Sequence, residues 1–162
     1  MALTKGDRLR VKMMYSGSIP MLKMYEASGE TFMAGDLLTA ASGAASLATT
    51  SNAVDVVGIA ISSGQNHASD NVATGQMVPL VRGVLIEGSI TGASHATLTL
   101  QSTHMYHGGF LKRATSGVWG IDLGSSTSSA TIRVVGFKDA TGTQHGRVFV
   151  APTTLLRHAI WQ

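Results

Sequence analysis

No window of a dozen residues in this chain carries an apolar stripe at helical spacing. What recurs is a short run rich in Val, Ile and Thr, closed each time by Gly, Ser, Asn or Asp. Such a chain buries itself through sheets, and runs this short and this regularly punctuated belong to sandwiches or barrels. We therefore expect an all-β fold with little or no helix. Small residues fill much of the rest: Gly, Ala, Ser and Thr make up 72 of the 162 residues.

Several turns follow from residue type. Gly35-Asp36 stands before a strand that opens at Leu37 and Leu38, and Ser42-Gly43 and Ser116-Gly117 have the same turn chemistry. Residues 40–53 are a low-complexity stretch that reads as a loop or as weak strands. Residues 54–61 (VDVVGIAI) read as a buried strand with Gly58 at a bulge or a close approach. Residues 76–90 are the strongest β segment, with Pro79 at an edge or bulge and Gly83 bending the strand. Val56-Val57-Gly58 and Val134-Val135-Gly136 form a short pseudo-repeat.

Charge is sparse and uneven. Charged residues are 13% of the chain, against roughly 25% in an average soluble domain. Within residues 1–24, Lys5, Arg8, Arg10, Lys12 and Lys23 face Asp7 alone, while the other residues carry a slight net negative charge. Five of the eight methionines, including Met13, Met14, Met21 and Met24, also lie in this segment. Methionine fills irregular apolar gaps, so residues 1–24 read as a basic, Met-rich arm that docks on another surface. The other reading is an ordinary first strand with its methionines in the core. Residues 25–162 are then expected to form a single barrel domain.

A body with so few charges and a mean hydropathy of +0.19 would associate if left free. We expect much of its surface to be covered by copies of itself or by a partner. Leu155, Leu156, Ile160 and Trp161 form an apolar end that must pack somewhere, on the barrel or on a neighbouring subunit. Trp119, in mid-strand, is expected in the core.

Most catalytic chemistries find no motif here. There is no cysteine, which excludes a disulfide scaffold, a thiolate metal site and a cysteine nucleophile. No G-x-S-x-G elbow, Walker loop or dinucleotide fingerprint occurs. His104 and His107 are three apart and follow His95, a spacing that shares a metal on a helix. Yet they run into Gly108-Gly109, with no acidic residue between Glu87 and Asp122, so they read as loop histidines. No cofactor or metal is expected, and the chain reads as a binding part and not an enzyme. The basic segment has only Tyr15 and Tyr25 nearby, too few rings for a specific nucleic-acid platform. Apolar runs stay far below the roughly 18 residues of a membrane helix, and the start lacks the apolar core of a secretory signal.

Residues 31–38 (TFMAGDLL), 56–60 (VVGIA) and 81–85 (VRGVL) occur in an order and spacing that resembles the head decoration, or capsid cement, proteins of tailed bacteriophages. Residues 118–122 (VWGID), 132–136 (IRVVG) and 146–150 (GRVFV) are similar to the closing strands of that family. The resemblance spans residues 30–150. It implies a small β-barrel or β-tulip-like domain, here with an extended N-terminal arm, seated on the outer surface of the mature capsid in the virion. It also implies the major capsid protein as partner and a homo-oligomer, a trimer before a dimer. Lys5, Arg8, Arg10, Lys12, Met13 and Met14 are the candidate capsid contacts, and Leu155, Leu156, Ile160 and Trp161 the candidate subunit contacts. A tail component or a receptor-binding adhesin is the alternative, with few aromatic rings in its favour.

Overall fold

The β-branched runs become strands, and the Gly and Ser clusters become the bends between them. The computed structural model describes residues 8–14, 21–41, 43–49, 56–69, 72–81, 83–91, 98–124 and 130–153. In chain order the strands are β1 (Arg10–Met14), β2 (Leu22–Glu26), β3 (Leu37–Ala41), β4 (Ala44–Leu47), β5 (Val56–Ala60) and β6 (Val72–Pro79). Then follow β7 (Val84–Thr91), β8 (Gly108–Arg113), β9 (Trp119–Asp122), β10 (Ile132–Phe137) and β11 (Arg147–Pro152). The one helical piece among the described residues is a 3₁₀ turn at Ser102–His104. The protein is all-β.

Where the sequence led us to expect one barrel over residues 25–162, the strands close into two. The first runs β2-β4-β3-β5-β6 and back to β2. The second runs β7-β9-β8-β10-β11 and back to β7, with β1 added at the outer edge of β7. Periodicity identifies a strand but carries no information about its partner, so the division was not visible in advance. Residues 76–90 show this best. They read as one bent strand, but Gly83 turns the chain with φ 92°, leaving β6 in one barrel and β7 in the other.

The two barrels share one topology. In each, the first strand runs parallel to the third: β2 beside β4, and β7 beside β9. Every other pairing is antiparallel and links the same ordinal strands, third to second, second to fourth, fourth to fifth and fifth to first. The Val-Val-Gly pseudo-repeat falls on the fourth strand of each. Leu38 and Thr39 face Gly58 and Val56, so Val57 is the extra residue of a bulge. Phe149 and Val150 face Gly136 and Val134, so Val135 is the extra residue of another. A bulge sharpens local twist, which a five-stranded sheet needs in order to close.

Packing joins the barrels. Leu37, Val56, Ile59 and Val78 from β3, β5 and β6 belong to the same buried cluster as Ile86, Leu111, Trp119, Ile132 and Val150 of the second barrel. Their sequence neighbours Leu38 and Ala60 lie in a second, smaller cluster with Met24, Phe32 and Ala45. The wall between the barrels is therefore apolar on both faces, and small side chains suit the confined space inside the first barrel. Trp119 is fully buried, as expected for a mid-strand anchor.

Candidate binding surface

The N-terminal segment is where the sequence placed the binding residues, and the structure ties its described part into the fold. Residues 10–14 form β1, paired antiparallel with β7, with Arg10 opposite Glu87 and Met14 opposite Val84. Leu9 is buried in the main cluster, and Met24 lies in the core of the first barrel. The boundary drawn at residue 24 therefore cuts through β2, and residues 10–14 pair where an arm was expected. The reason is long-range: the partner of β1 lies some seventy positions further along the chain, beyond any local pattern.

Two of the basic side chains here, Arg8 and Lys12, have acidic partners within the chain. Arg8 donates from Nη1 to Asp36 Oδ1 at 3.1 Å and to the Ala34 carbonyl at 3.3 Å, and its Nη2 lies 3.2 Å from Met33 Sδ. Asp36 Oδ2 also accepts the Met33 N–H at 2.8 Å. Arg8 thus clamps the turn that carries Gly35-Asp36. A side chain at Gly35 would meet Arg8 Cβ and the Leu9 carbonyl at 2.9 Å, and its φ is 90°, so the contact requires glycine. Lys12 Nζ lies 3.2 Å from Glu87 Oε2. Arg147 reaches the same carboxylate at 3.8 Å and grips Asp139 with two bonds, Nε to Oδ2 at 2.9 Å and Nη2 to Oδ1 at 2.7 Å. Those bonds hold the Asp139 carboxyl below its usual range. Met13 and Met14 lie on β1 opposite Leu85 and Val84, and their side chains are outside the described residues. Lys5 and the apolar end formed by Leu155, Leu156, Ile160 and Trp161 are also outside them.

Beside the Arg8 clamp lies a cleft of about 620 Å³, lined by Leu9, Val11, Ala34, Ile59, Ala60 and Val78, with Arg8 and Arg10 also in its wall. Met21 and Ile61 line it and are exposed, and Met33 stands exposed on Arg8. With its described cations largely engaged, this surface offers apolar contact more than charge. Sequence reasoning included Met21 in its Met-rich segment but missed Met33 and also Ile61, whose exposure depends on how β5 ends against the cleft.

The histidine pair sits elsewhere, on the loop before β8. His104 Nδ1 accepts the Gln101 N–H at 3.2 Å, and His107 Nδ1 lies 2.6 Å from the Gly108 carbonyl. The rings meet edge to face with centroids 6.5 Å apart. Burial, and then the charge of His107, lower the His104 pKa below 6.5. No group of three metal-ligating side chains occurs among the described residues, and His95 lies outside them. Between the histidines, Tyr106 has φ 61° and is 68% exposed. Its N–H donates to the Val134 carbonyl at 3.1 Å and its own carbonyl accepts from Arg133 at 3.1 Å. A left-handed tyrosine held in this way leaves its ring in solvent, a feature no sequence signal announced.

Comparison with protein-family models finds no match, and comparison with the curated proteins finds none either.

Proposed function

We propose that this chain is a structural virion protein that binds the outside of an assembled tailed-phage capsid and stabilises the shell. The observation that carries the reading is the surface built around the Gly35-Asp36 turn. That turn belongs to the stretch of sequence resembling the decoration proteins. Around it gather a clamped N-terminal segment and the exposed side chains of Met21, Met33 and Ile61. Contacts of this kind are weak singly and gain strength by repetition over a lattice. The partner is the major capsid protein, met through apolar contact at the cleft, and the protein acts as a homo-oligomer.

The test is co-sedimentation of the purified protein with assembled shells and with free capsid subunits, at low and high salt. The reading expects binding to shells in preference to free subunits. It also expects that binding to persist at high salt, because the exposed Met21, Met33 and Ile61 at the cleft are apolar and Arg8 is engaged with Asp36. Equal binding to free subunits, or none to shells, overturns it.

One observation favours a second reading, a tail or receptor-binding module. The exposed side chain of Tyr106, whose backbone carbonyl accepts from Arg133, is the kind of group that contacts a receptor. Loss of host-cell attachment in Tyr106→Ala particles, with shell binding intact, would promote it.

A further inference from the structure

Every charged side chain that is exposed among the described residues is a cation: Arg10, Lys12, Lys23, Arg133 and Lys138. The six described acids, Glu26, Glu30, Asp36, Glu87, Asp122 and Asp139, are buried or half-buried. Four of those five cations gather on one surface, the outer face of the sheet β1-β7-β11-β10. The strand registers put them there. Ile86, Val134, Val148 and Val150 point into the core, so the alternation of a strand turns Glu87, Arg133, Arg147 and Phe149 outwards. Arg10 lies opposite Glu87, and Lys12, the extra residue of the β1 bulge, reaches the same carboxylate. Lys138 follows β10 beside Arg147, its N–H on the Arg147 carbonyl. With Arg147 the face holds five cations against the carboxylates of Glu87 and Asp139, an excess of three positive charges. Pairing of Lys12 and Arg147 with those carboxylates fixes the cations in place and leaves the excess standing. The centre of the face is apolar. Half-buried Phe149 sits opposite Gly136, with its ring 3.4 Å from where a side chain there would begin, and Val135 next to them is 43% exposed.

We infer that this face is a docking surface for a protein that presents carboxylates around an apolar patch. An apolar centre within a polar rim is the anatomy of a protein–protein interface. Here the rim is cationic on both sides, Arg10 and Lys12 on β1 and Arg133 and Lys138 at β10, so a complementary partner is acidic. Nucleic acid fits this face less well. Glu87 on β7 stands between Arg10 on β1 and Phe149 on β11, where it would repel a phosphate chain crossing the sheet. Phe149 is also the one outward ring on these four strands, whereas a single-strand platform stacks successive bases on successive rings. A second copy of the chain has no exposed acid among its described residues with which to answer the face. Arg10 also lines the cleft, so the two surfaces adjoin while differing in character, one apolar and the other cationic. Local sequence pattern could not show this face, because its cations come from both ends of the chain and meet only through β7 and β11.

The test follows the fluorescence anisotropy of a labelled peptide, with glutamates on both sides of a central leucine, as the full chain is added. Binding is expected, and it is expected to weaken as salt is raised. Arg133→Glu and Lys138→Glu are each expected to weaken it about fivefold, the effect of one exposed charge at an interface. Lys23→Glu makes the same change of charge on β2 of the first barrel and is expected to leave binding unchanged. An equal loss in Lys23→Glu would show a response to net charge alone and overturn the inference, and so would a peptide that does not bind. An oligothymidylate of matched charge that binds more tightly than the peptide would assign the face to nucleic acid and overturn it as well. Arg133 bonds the Tyr106 carbonyl, so circular dichroism is taken for each variant. Should Arg133→Glu lose its β signal, the comparison of Lys138→Glu with Lys23→Glu decides the matter. No shell protein enters these measurements, so they stand or fall apart from the capsid reading.

Discussion

Val57 and Val135 hold the same position in the two barrels: each is the extra residue of a bulge in the fourth strand, and each is followed by a glycine. The surroundings of those glycines differ. A side chain at Gly58 would meet the Val78 carbonyl oxygen at 2.7 Å, a backbone atom that cannot step aside. At Gly136 the nearest atom is Phe149 Cδ2 at 3.4 Å, an ordinary contact. Gly58→Ala is therefore expected to cost about 2–3 kcal/mol of stability, and Gly136→Ala less than about 1 kcal/mol. Chemical denaturation of the two variants checks this, and equal losses would contradict it.

Removing residues 1–24 takes away β1, the buried Leu9 and Met24, and three of the five residues of β2. The truncated chain is expected to lose cooperative unfolding altogether. Leu9→Ala alone is expected to lower stability by about 2–4 kcal/mol, the range for a buried leucine that leaves a cavity. Thermal melts followed by circular dichroism distinguish this from an arm that detaches without harm.

The Arg8–Asp36 pair gives a third prediction. The Asp36 side chain is 6% exposed, so Arg8→Ala strands a buried carboxylate and is expected to cost about 3 kcal/mol. Replacing both residues is expected to cost less than the two single losses added together, with a coupling of about 1–2 kcal/mol. A double-mutant cycle measures it, and additive losses would show that the clamp is idle.

How much of this was legible beforehand depended on range. The turn at Gly35-Asp36 and the close approach at Gly58 could be read because a residue's own chemistry announces them. So could the Val-Val-Gly pair, although its meaning as a shared bulge needed the strand registers. At Ala44–Leu47 the sequence left a loop and a weak strand both open, because alanine and serine have weak β preference and the small barrel interior selects them for size; the strand is what forms. The partners of Arg8 and Lys12 were also hidden, since Asp36 and Glu87 lie far along the chain and reach them only through barrel closure. For the site this mattered most: composition showed a basic segment, and the fold pairs two of its cations, Arg8 and Lys12, with Asp36 and Glu87.

His104 supplies a pH test. Its folded pKa is lowered by burial and by His107, so between that value and 6.5 the unfolded chain binds more protons than the folded one. Its contribution is complete above pH 6.5 and shrinks as pH falls below that, through the folded pKa. His104→Gln is expected to flatten the stability profile below pH 6.5, with little change in slope above it. Denaturation midpoints across pH 5 to 8, taken for both proteins, check the sign. A variant whose profile falls as steeply as the parent's would contradict it.

The central claim is that this chain is a repeated part of a virion's outer shell. Its abundance relative to the major capsid protein in purified particles, measured by quantitative mass spectrometry, tests that claim most directly. The account predicts a fixed ratio matching a lattice site, unchanged between preparations and lost together with the shell. A few copies per particle, or absence from particles, would contradict it.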